Sequence, residues 1–338
     1  MATHDGLRVS LTLQGVHPPD ELFQIARTAD ESGFFGLWLT DSSLHSRDCW
    51  TLLGALALRT ERLHLGTAVT HPRTRHPALA AVCAATLDEL SGGRAILGVG
   101  AGDRPVTELG RRPARIAEVE AMIDLCRALL RGESVETGPP FTVHGGFRRL
   151  EASPDLPVWI AGSGPRMLDL GGRMADGVLA LVGTCDECVE SVLGEVGRAA
   201  ESVGRPTPEI AVMGYGAISD DGEAAWRASR SMAAWFAKTA PRYCDLAGID
   251  PELVARIRDK YSGGEFTEAT TAAELAPREM VERLTLSGTP DEVSDRLDRM
   301  ERAGVRHVNY FPIGPDRLGS FLAFADVVRA RSARRSAA

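Results

Sequence analysis

The sequence predicts an α/β fold, a (β/α)8 TIM barrel with insertions, and three observations carry that prediction. Short β-rich runs alternate with amphipathic helical stretches from the N-terminus onward, a pattern that requires parallel strands joined by crossover helices. The 338 residues exceed the roughly 250 of a bare barrel, and the excess concentrates in one helical stretch. The open doubly wound alternative lacks its phosphate fingerprint. Gly98, Gly100 and Gly102 follow a strand, but the third glycine of GxGxxG would fall on Asp103, and no GxxxxGK[ST] occurs.

Each element can be justified in turn. Residues 8–13 form the first strand. His17-Pro18-Pro19-Asp20 opens a helix with Leu22, Ile25, Ala26 and Ala29 on one face, closed by Gly33 at C′. Residues 35–39 and 62–67 are the second and third strands. A helix over 77–90 ends at Ser91-Gly92-Gly93, the fourth strand spans 94–99, and a longer helix covers 113–130. Gly138-Pro139-Pro140 and Gly145-Gly146 mark a short hairpin excursion before the fifth strand, 157–161. A helix over 165–174, a strand over 177–181, a helix over 186–202 and the seventh strand over 209–213 follow. Residues 219–277 carry about three helical pieces with no strand between them, and read as an insertion on the barrel. Thr289-Pro290-Asp291-Glu292 is a capping box with Pro at N1, starting a helix that runs to Arg302. The eighth strand spans 306–310 and a last helix 315–331. Residues 1–338 thus form a single barrel domain, with an Arg/Ala/Ser-rich tail expected to fray over about 330–338.

Composition excludes several function classes. The chain is 44% hydrophobic and 25% charged with mean hydropathy near zero, as in a globular protein. Its net charge is −8, with 36 Arg, 2 Lys and 46 acidic residues dispersed along the sequence, so no basic face is available for nucleic acid. The Arg excess reads as codon bias of a GC-rich genome. No apolar run approaches the roughly 20 residues that span a bilayer, and the polar start, Met1 to Arg8, is unlike a signal peptide, so no membrane partner and a cytoplasmic location are expected. Cys49, Cys83, Cys126, Cys185, Cys188 and Cys244 do not make a disulfide scaffold. Cys185 and Cys188 form a lone CxxC, which could be a redox pair or half a zinc site; without the second pair a zinc site needs, two incidental thiols at a helix start and no metal are expected.

In a barrel the active site is built from residues just after the strands, at the C-terminal face. Here those segments are rich in glycine and small polar residues. Asp41 and Asp103 are the carboxylates close to strand ends and His71 is the one histidine, so neither a nucleophilic triad nor a metal-assisted hydrolase can be assembled. Glycine-lined strand ends suit a planar cofactor that the backbone approaches closely. Ser163-Gly164-Pro165 opens a helix, with Ser163 a candidate N-cap, whose free N–H groups would face a cofactor phosphate at the barrel mouth; an ordinary capped helix is the competing meaning of the same residues.

Several motifs then coincide in order. Leu39-Thr40-Asp41 ends the second strand, and Leu65-Gly66-Thr67-Ala68-Val69-Thr70-His71-Pro72-Arg73-Thr74-Arg75-His76-Pro77 follows the third. Leu87-Asp88-Glu89-Leu90-Ser91-Gly92-Gly93-Arg94 leads into Gly98-Val99-Gly100-Ala101-Gly102-Asp103. Pro157-Val158-Trp159-Ile160-Ala161-Gly162-Ser163-Gly164-Pro165-Arg166-Met167-Leu168 precedes Ala175-Asp176-Gly177-Val178. Over nearly the whole chain these residues resemble the luciferase-like monooxygenase superfamily, and within it the coenzyme F420-dependent, methylenetetrahydromethanopterin reductase-like branch. The resemblance implies a deazaflavin at the barrel mouth with hydride carried at C5, and a non-prolyl cis peptide at Ala68–Val69. It implies cofactor contacts at Asp41, Ala68, Val69, Thr70, His71, Gly100, Ala161, Gly162, Ser163, Gly164 and Val182. The candidate catalytic positions are Thr12, Asp41 and His71. Thr12 stands where the methanopterin reductases place a Glu, which removes their anionic acid/base partner. His71 stands where Asn is frequent, and Arg75 and His76 are expected to brace the loop.

The expected function is an F420H2-dependent reductase that delivers hydride to an electron-poor C=N or C=C bond of a small molecule or modified peptide, in secondary metabolism and as a homodimer. An FMN-dependent luciferase-like monooxygenase is one alternative, and a non-catalytic flavin-binding barrel another. The helical insertion and the Gly164-Pro165-Arg166-Met167-Leu168 segment favour the deazaflavin. Trp226, Trp235, Phe236, Tyr243 and Tyr261 in the insertion are expected chiefly as packing residues.

Overall fold

In the computed structural model, which describes residues 6–42, 44–147, 151, 153–262 and 270–336, eight parallel strands close into a barrel. The first half of the chain supplies β1 (Arg8–Leu13), α1 (Pro19–Glu31), β2 (Gly36–Leu39), α2 (Cys49–Ala57), β3 (His64–Thr67), α3 (Pro77–Ser91), β4 (Ala95–Val99), α4 (Arg104–Thr107) and α5 (Ile116–Leu130). A two-stranded excursion, β5 (Val135–Thr137) and β6 (Val143–Gly146), precedes β7 (Val158–Gly162), α6 (Pro165–Met174), β8 (Gly177–Ala180), α7 (Asp186–Ser202) and β9 (Glu209–Gly216). Then come α8 (Gly222–Thr239), α9 (Pro241–Leu246), α10 (Pro251–Lys260), α11 (Thr270–Ala273), α12 (Arg278–Leu284), α13 (Pro290–Arg302), β10 (His307–Pro312) and α14 (Arg317–Ser336). The strand order around the barrel is β1-β10-β9-β8-β7-β4-β3-β2. Its strands are buried on both faces, which is why they read as nearly continuous apolar runs.

Two tryptophans fill the barrel interior. Trp38 on β2 and Trp159 on β7 meet with ring centroids 5.2 Å apart, although their strands are not neighbours. Glycines on adjacent strands make room for them: a Cβ at Gly66 would stand 2.6 Å from Trp38, and one at Gly177 2.1 Å from Trp159. Below them a polar layer is fully paired, with Ser10 Oγ 2.7 Å from His307 Nε2 and His307 Nδ1 2.7 Å from Glu209.

The elements differ from those the sequence predicts at several points. Asp48 caps α2 by accepting from the Thr51 amide, a helix that the sequence pass leaves unassigned. β9 continues through Gly216 because β10 pairs with it as far as Pro312 and the returning Leu286 amide donates to the Tyr215 carbonyl. Helix α12 extends the helical excursion past residue 277, while 263–269 lie outside the described residues. Finally, the last helix is longer than the sequence predicts: α14 runs to Ser336, with Arg331 buried and paired to both Asp298 and Glu301. Residues 337 and 338 lie outside the described residues.

Candidate active site

The segment after β3 forms one wall of the barrel mouth. The Ala68–Val69 peptide is cis. Both residues are half-buried, and the Val69 side chain lies over the glycines of β4. A Cβ at Gly100 would stand 2.6 Å from Val69 Cγ2, and one at Gly98 1.9 Å from the Thr67 carbonyl oxygen. The glycines of Gly98-Val99-Gly100 therefore exist to admit this wall.

Next along the chain, Thr70 and Arg75 converge on Asp41 at the end of β2. The Thr70 hydroxyl donates to Asp41 Oδ2 at 2.8 Å, Arg75 Nε donates to the same oxygen at 2.8 Å, and Arg75 Nη2 donates to Oδ1 at 3.2 Å. Arg75 also pairs with Asp48 at the start of α2. Asp41 is 6% exposed, so its carboxylate is committed to holding the loop in place. The bracing expected of Arg75 is present, and His76 contributes by accepting the Ala78 amide as the N-cap of α3.

His71 and Arg73 in this segment each carry a buried, unsatisfied nitrogen, Nε2 and Nε respectively. His71 Nδ1 lies 3.0 Å from the Thr74 hydroxyl, whereas its buried Nε2 has no hydrogen-bond partner. Burial pushes its ring pKa below the ordinary value despite the nearby Asp41 and Asp103 carboxylates, so the ring is neutral at neutral pH. Such an orphaned group costs about 1–3 kcal/mol in a closed protein and marks a place for a ligand atom. Thr40 Oγ1, at the end of β2, is likewise unpartnered.

Across the mouth, Ala161, Gly162, Ser163 and Gly164 are all half-buried and lead into α6. Here the cap differs from expectation: Gly164, not Ser163, is the N-cap, and no side chain occupies its amides. Pro165 sets the N1 position, so the cap residue is the one immediately before it. Tyr243 from α9 donates its hydroxyl to the Ser163 carbonyl at 2.6 Å, tying the insertion to this turn. Replacing Tyr243 by Phe is expected to lower stability by about 1 kcal/mol, read by urea denaturation; an unchanged midpoint would contradict that role. The other insertion aromatics behave as packing residues, with Phe236 and Tyr261 buried and Trp235 set edge-on against Phe236.

Two expected site residues are fully buried in this structure. Thr12 is 0% exposed inside the barrel and donates to Asn309 Oδ1 at 2.8 Å, so its hydroxyl is spent within the interior. Val182 is also 0% exposed, packed among core residues beyond the end of β8. Conversely, the sequence does not single out Asn309, whose Nδ2 is buried without a partner, while Tyr215 and Phe311, both in segments expected at strand ends, stack 4.6 Å apart at 12°. The two-residue period of β10 was the available signal, since it puts His307, Asn309 and Phe311 on one face.

His64, His71 and His307 all have ring pKa values lowered chiefly by burial. The unfolded chain therefore takes up protons first as pH falls, and stability drops below about pH 6.5. The thermal midpoint is expected to be lower near pH ~5.5 than near pH ~7.5; a flat or rising midpoint would contradict the burial of these rings.

Residues 3–307 match the family described as luciferase-like monooxygenase. The chain belongs to this family. Among luciferase-like relatives, 5,10-methylenetetrahydromethanopterin reductase of Methanolobus tindarius is 30% identical over 311 residues, covering 89% of this chain and 94% of that protein. Phthiodiolone/phenolphthiodiolone dimycocerosates ketoreductase of Mycobacterium tuberculosis is 32% identical over 292 residues, covering 77% of this chain and 72% of that protein. The solved structure of the coenzyme F420-dependent tetrahydromethanopterin reductase of Methanopyrus kandleri superposes with a TM-score of 0.84 at 25% identity, covering 96% of this chain and 99% of that one. This luciferase-like barrel thus shares its fold with the Methanopyrus kandleri reductase, and its sequence relatives are reductases that differ in their named acceptors.

Proposed function

We propose that this protein is an F420H2-dependent reductase acting on an electron-poor C=N or C=C bond of a small molecule or modified peptide, in secondary metabolism. The observation that supports it most is the half-exposed Val69 surface backed by Gly98 and Gly100, a flat wall beside the neutral His71 ring. The cofactor supplies a hydride at its C5 when bound. The chain's own residues position it: Val69 and Ala68 support one face of the ring, and His71 Nε2 offers a hydrogen-bonding atom to its polar edge. The uncapped amides at Gly164 and the start of α6 take the phosphate. With only two lysines in the chain, backbone N–H groups and helix ends are the natural anion partners.

β1 contributes no carboxylate to the mouth, and Thr12 is engaged by Asn309. The acceptor is therefore one that does not depend on an acid from that strand, unlike the methylene-pterin of the methanogen relatives. Among the described residues no helix is long and apolar enough to cross a membrane, in keeping with a cytoplasmic enzyme. Leu79, Val82 and Leu90 on α3 and Leu58 after α2 are exposed apolar residues, and they are the proposed contact of a homodimer.

The test is anaerobic turnover with reduced F420 and two probes, a cyclic imine and a dehydroamino-acid peptide. The oxidised-cofactor absorbance should return only when a probe is present. Return that requires oxygen instead would favour the FMN-type monooxygenase, and no turnover with either reduced F420 or reduced FMN would favour a non-catalytic barrel.

A further inference from the structure

The CxxC at the start of α7 takes no part in the site just described, yet it has its own cleft. The Cys185 thiol donates to Cys188 Sγ at 3.3 Å, and the Cys188 thiol donates to the Tyr243 carbonyl at 3.5 Å. Cys188 is fully buried while Cys185, the N-cap of α7, is half-exposed. Cys185 lines a cleft of about 260 Å³ together with the carboxylates of Asp186, Glu187 and Glu282 and the guanidinium groups of Arg283, Arg296 and Arg299.

The lining holds as many acids as arginines, but Glu282 is paired with Arg278 outside the cleft, and Asp186 is the one carboxylate of the lining with no salt bridge among the described residues. Glu187 approaches Cys185 but is paired with Arg283 at 2.9 Å. Arg296 donates to the carbonyls of Glu282 and Thr285 and meets no carboxylate, and Arg299 forms no salt bridge among the described residues. The cysteines also differ among themselves. Burial pushes the thiols of Cys126 and Cys244 up to about 12, whereas the hydrogen bond shared with Cys188 draws that of Cys185 below its ordinary value.

We propose that Cys185 and Cys188 are a redox-active dithiol that reduces an anionic low-molecular-weight disulfide bound in the arginine-lined cleft. The Cys185 thiol gives up its proton and attacks one sulfur of that disulfide as the thiolate, forming a mixed disulfide and releasing one thiolate, which takes up that proton. Cys188 then gives up its proton and attacks Cys185 Sγ, closing the Cys185–Cys188 bond and releasing the second thiolate, which takes up that proton. Two electrons pass from the protein dithiol to the small disulfide, which leaves as two thiols. The buried Cys188 serves as the resolving thiol because only Cys185 meets the cleft. Closing the bond also removes the hydrogen bond from Cys188 to the Tyr243 carbonyl.

Oxidised glutathione, which carries several carboxylates, is a suitable probe for the full-length protein, with acid quenching, alkylation and peptide mass analysis. The expected result is loss of two alkylatable thiols from the peptide holding Cys185 and Cys188, with no retained adduct and the other four cysteines still free. Cys188→Ser should trap the glutathione adduct on Cys185, and Cys185→Ser should give neither product. Bis(2-hydroxyethyl) disulfide, which is uncharged, should react roughly tenfold more slowly, and Arg299→Ala should narrow that gap. Oxidation of other cysteines before Cys185, or a stable adduct on Cys185 in the unsubstituted protein, would overturn the proposal. Equal rates for the charged and uncharged disulfides would overturn the anionic class of the substrate.

Discussion

Asp41→Ala is expected to cost about 2–4 kcal/mol of stability and to abolish cofactor binding. The carboxylate is nearly sealed from water, its side chain 4% exposed, and it accepts from one hydroxyl and two guanidinium nitrogens. Removing it leaves Arg75 facing an apolar gap, held only by the half-exposed Asp48. Arg75 is 27% exposed, so water recovers part of the loss, and the expected figure lies at or below the range for fully buried pairs. Asp41→Asn keeps a side-chain oxygen for Thr70 but loses the charge, and should fall between the two. Urea denaturation provides the stability and a titration with F420 the affinity. A loss below about 1 kcal/mol, the level of an exposed pair, would contradict the bracing role.

Gly98→Ala should be more damaging still, costing at least about 3 kcal/mol or preventing folding. Its Cβ would lie 1.9 Å from the Thr67 carbonyl oxygen. Neither partner can yield, because Thr67 Oγ1 donates to the Gly98 carbonyl at 2.7 Å and accepts from the Gly98 amide at 3.2 Å. Gly164→Ala provides the contrast. That position has no atom within 4 Å of a Cβ and an ordinary extended φ of −88°, so stability should change by no more than about 0.5 kcal/mol. Comparable circular dichroism melts for the two variants would contradict the account of β4.

Much of this was legible from the residues. The β/α alternation, the Thr289 capping box and the glycines around Val69 each encode a local geometry that does not depend on distant parts of the chain. Helix α2 escaped because its apolar residues face both the barrel and neighbouring helices, leaving little periodic contrast in Cys49–Ala57. The burial of Thr12 and Val182 escaped for a different reason. Strand position says that a residue is near the barrel mouth, but not whether a partner such as Asn309 from the far end of the chain has already taken its hydroxyl. The anchoring of α14 through Arg331 is equally non-local, since its partners Asp298 and Glu301 lie on α13. The Tyr243 hydroxyl on Ser163 likewise joins residues eighty apart in sequence.

The central claim is that the mouth of this barrel takes a deazaflavin. Equilibrium titration of the purified protein with oxidised F420 and, separately, with FMN, combined with oxygen-consumption measurements on each reduced form, tests it most directly. The account predicts saturable F420 binding that is lost in Asp41→Ala, weak or absent FMN binding, and no oxygen uptake. Tight FMN binding with oxygen consumption and no affinity for F420 would contradict it.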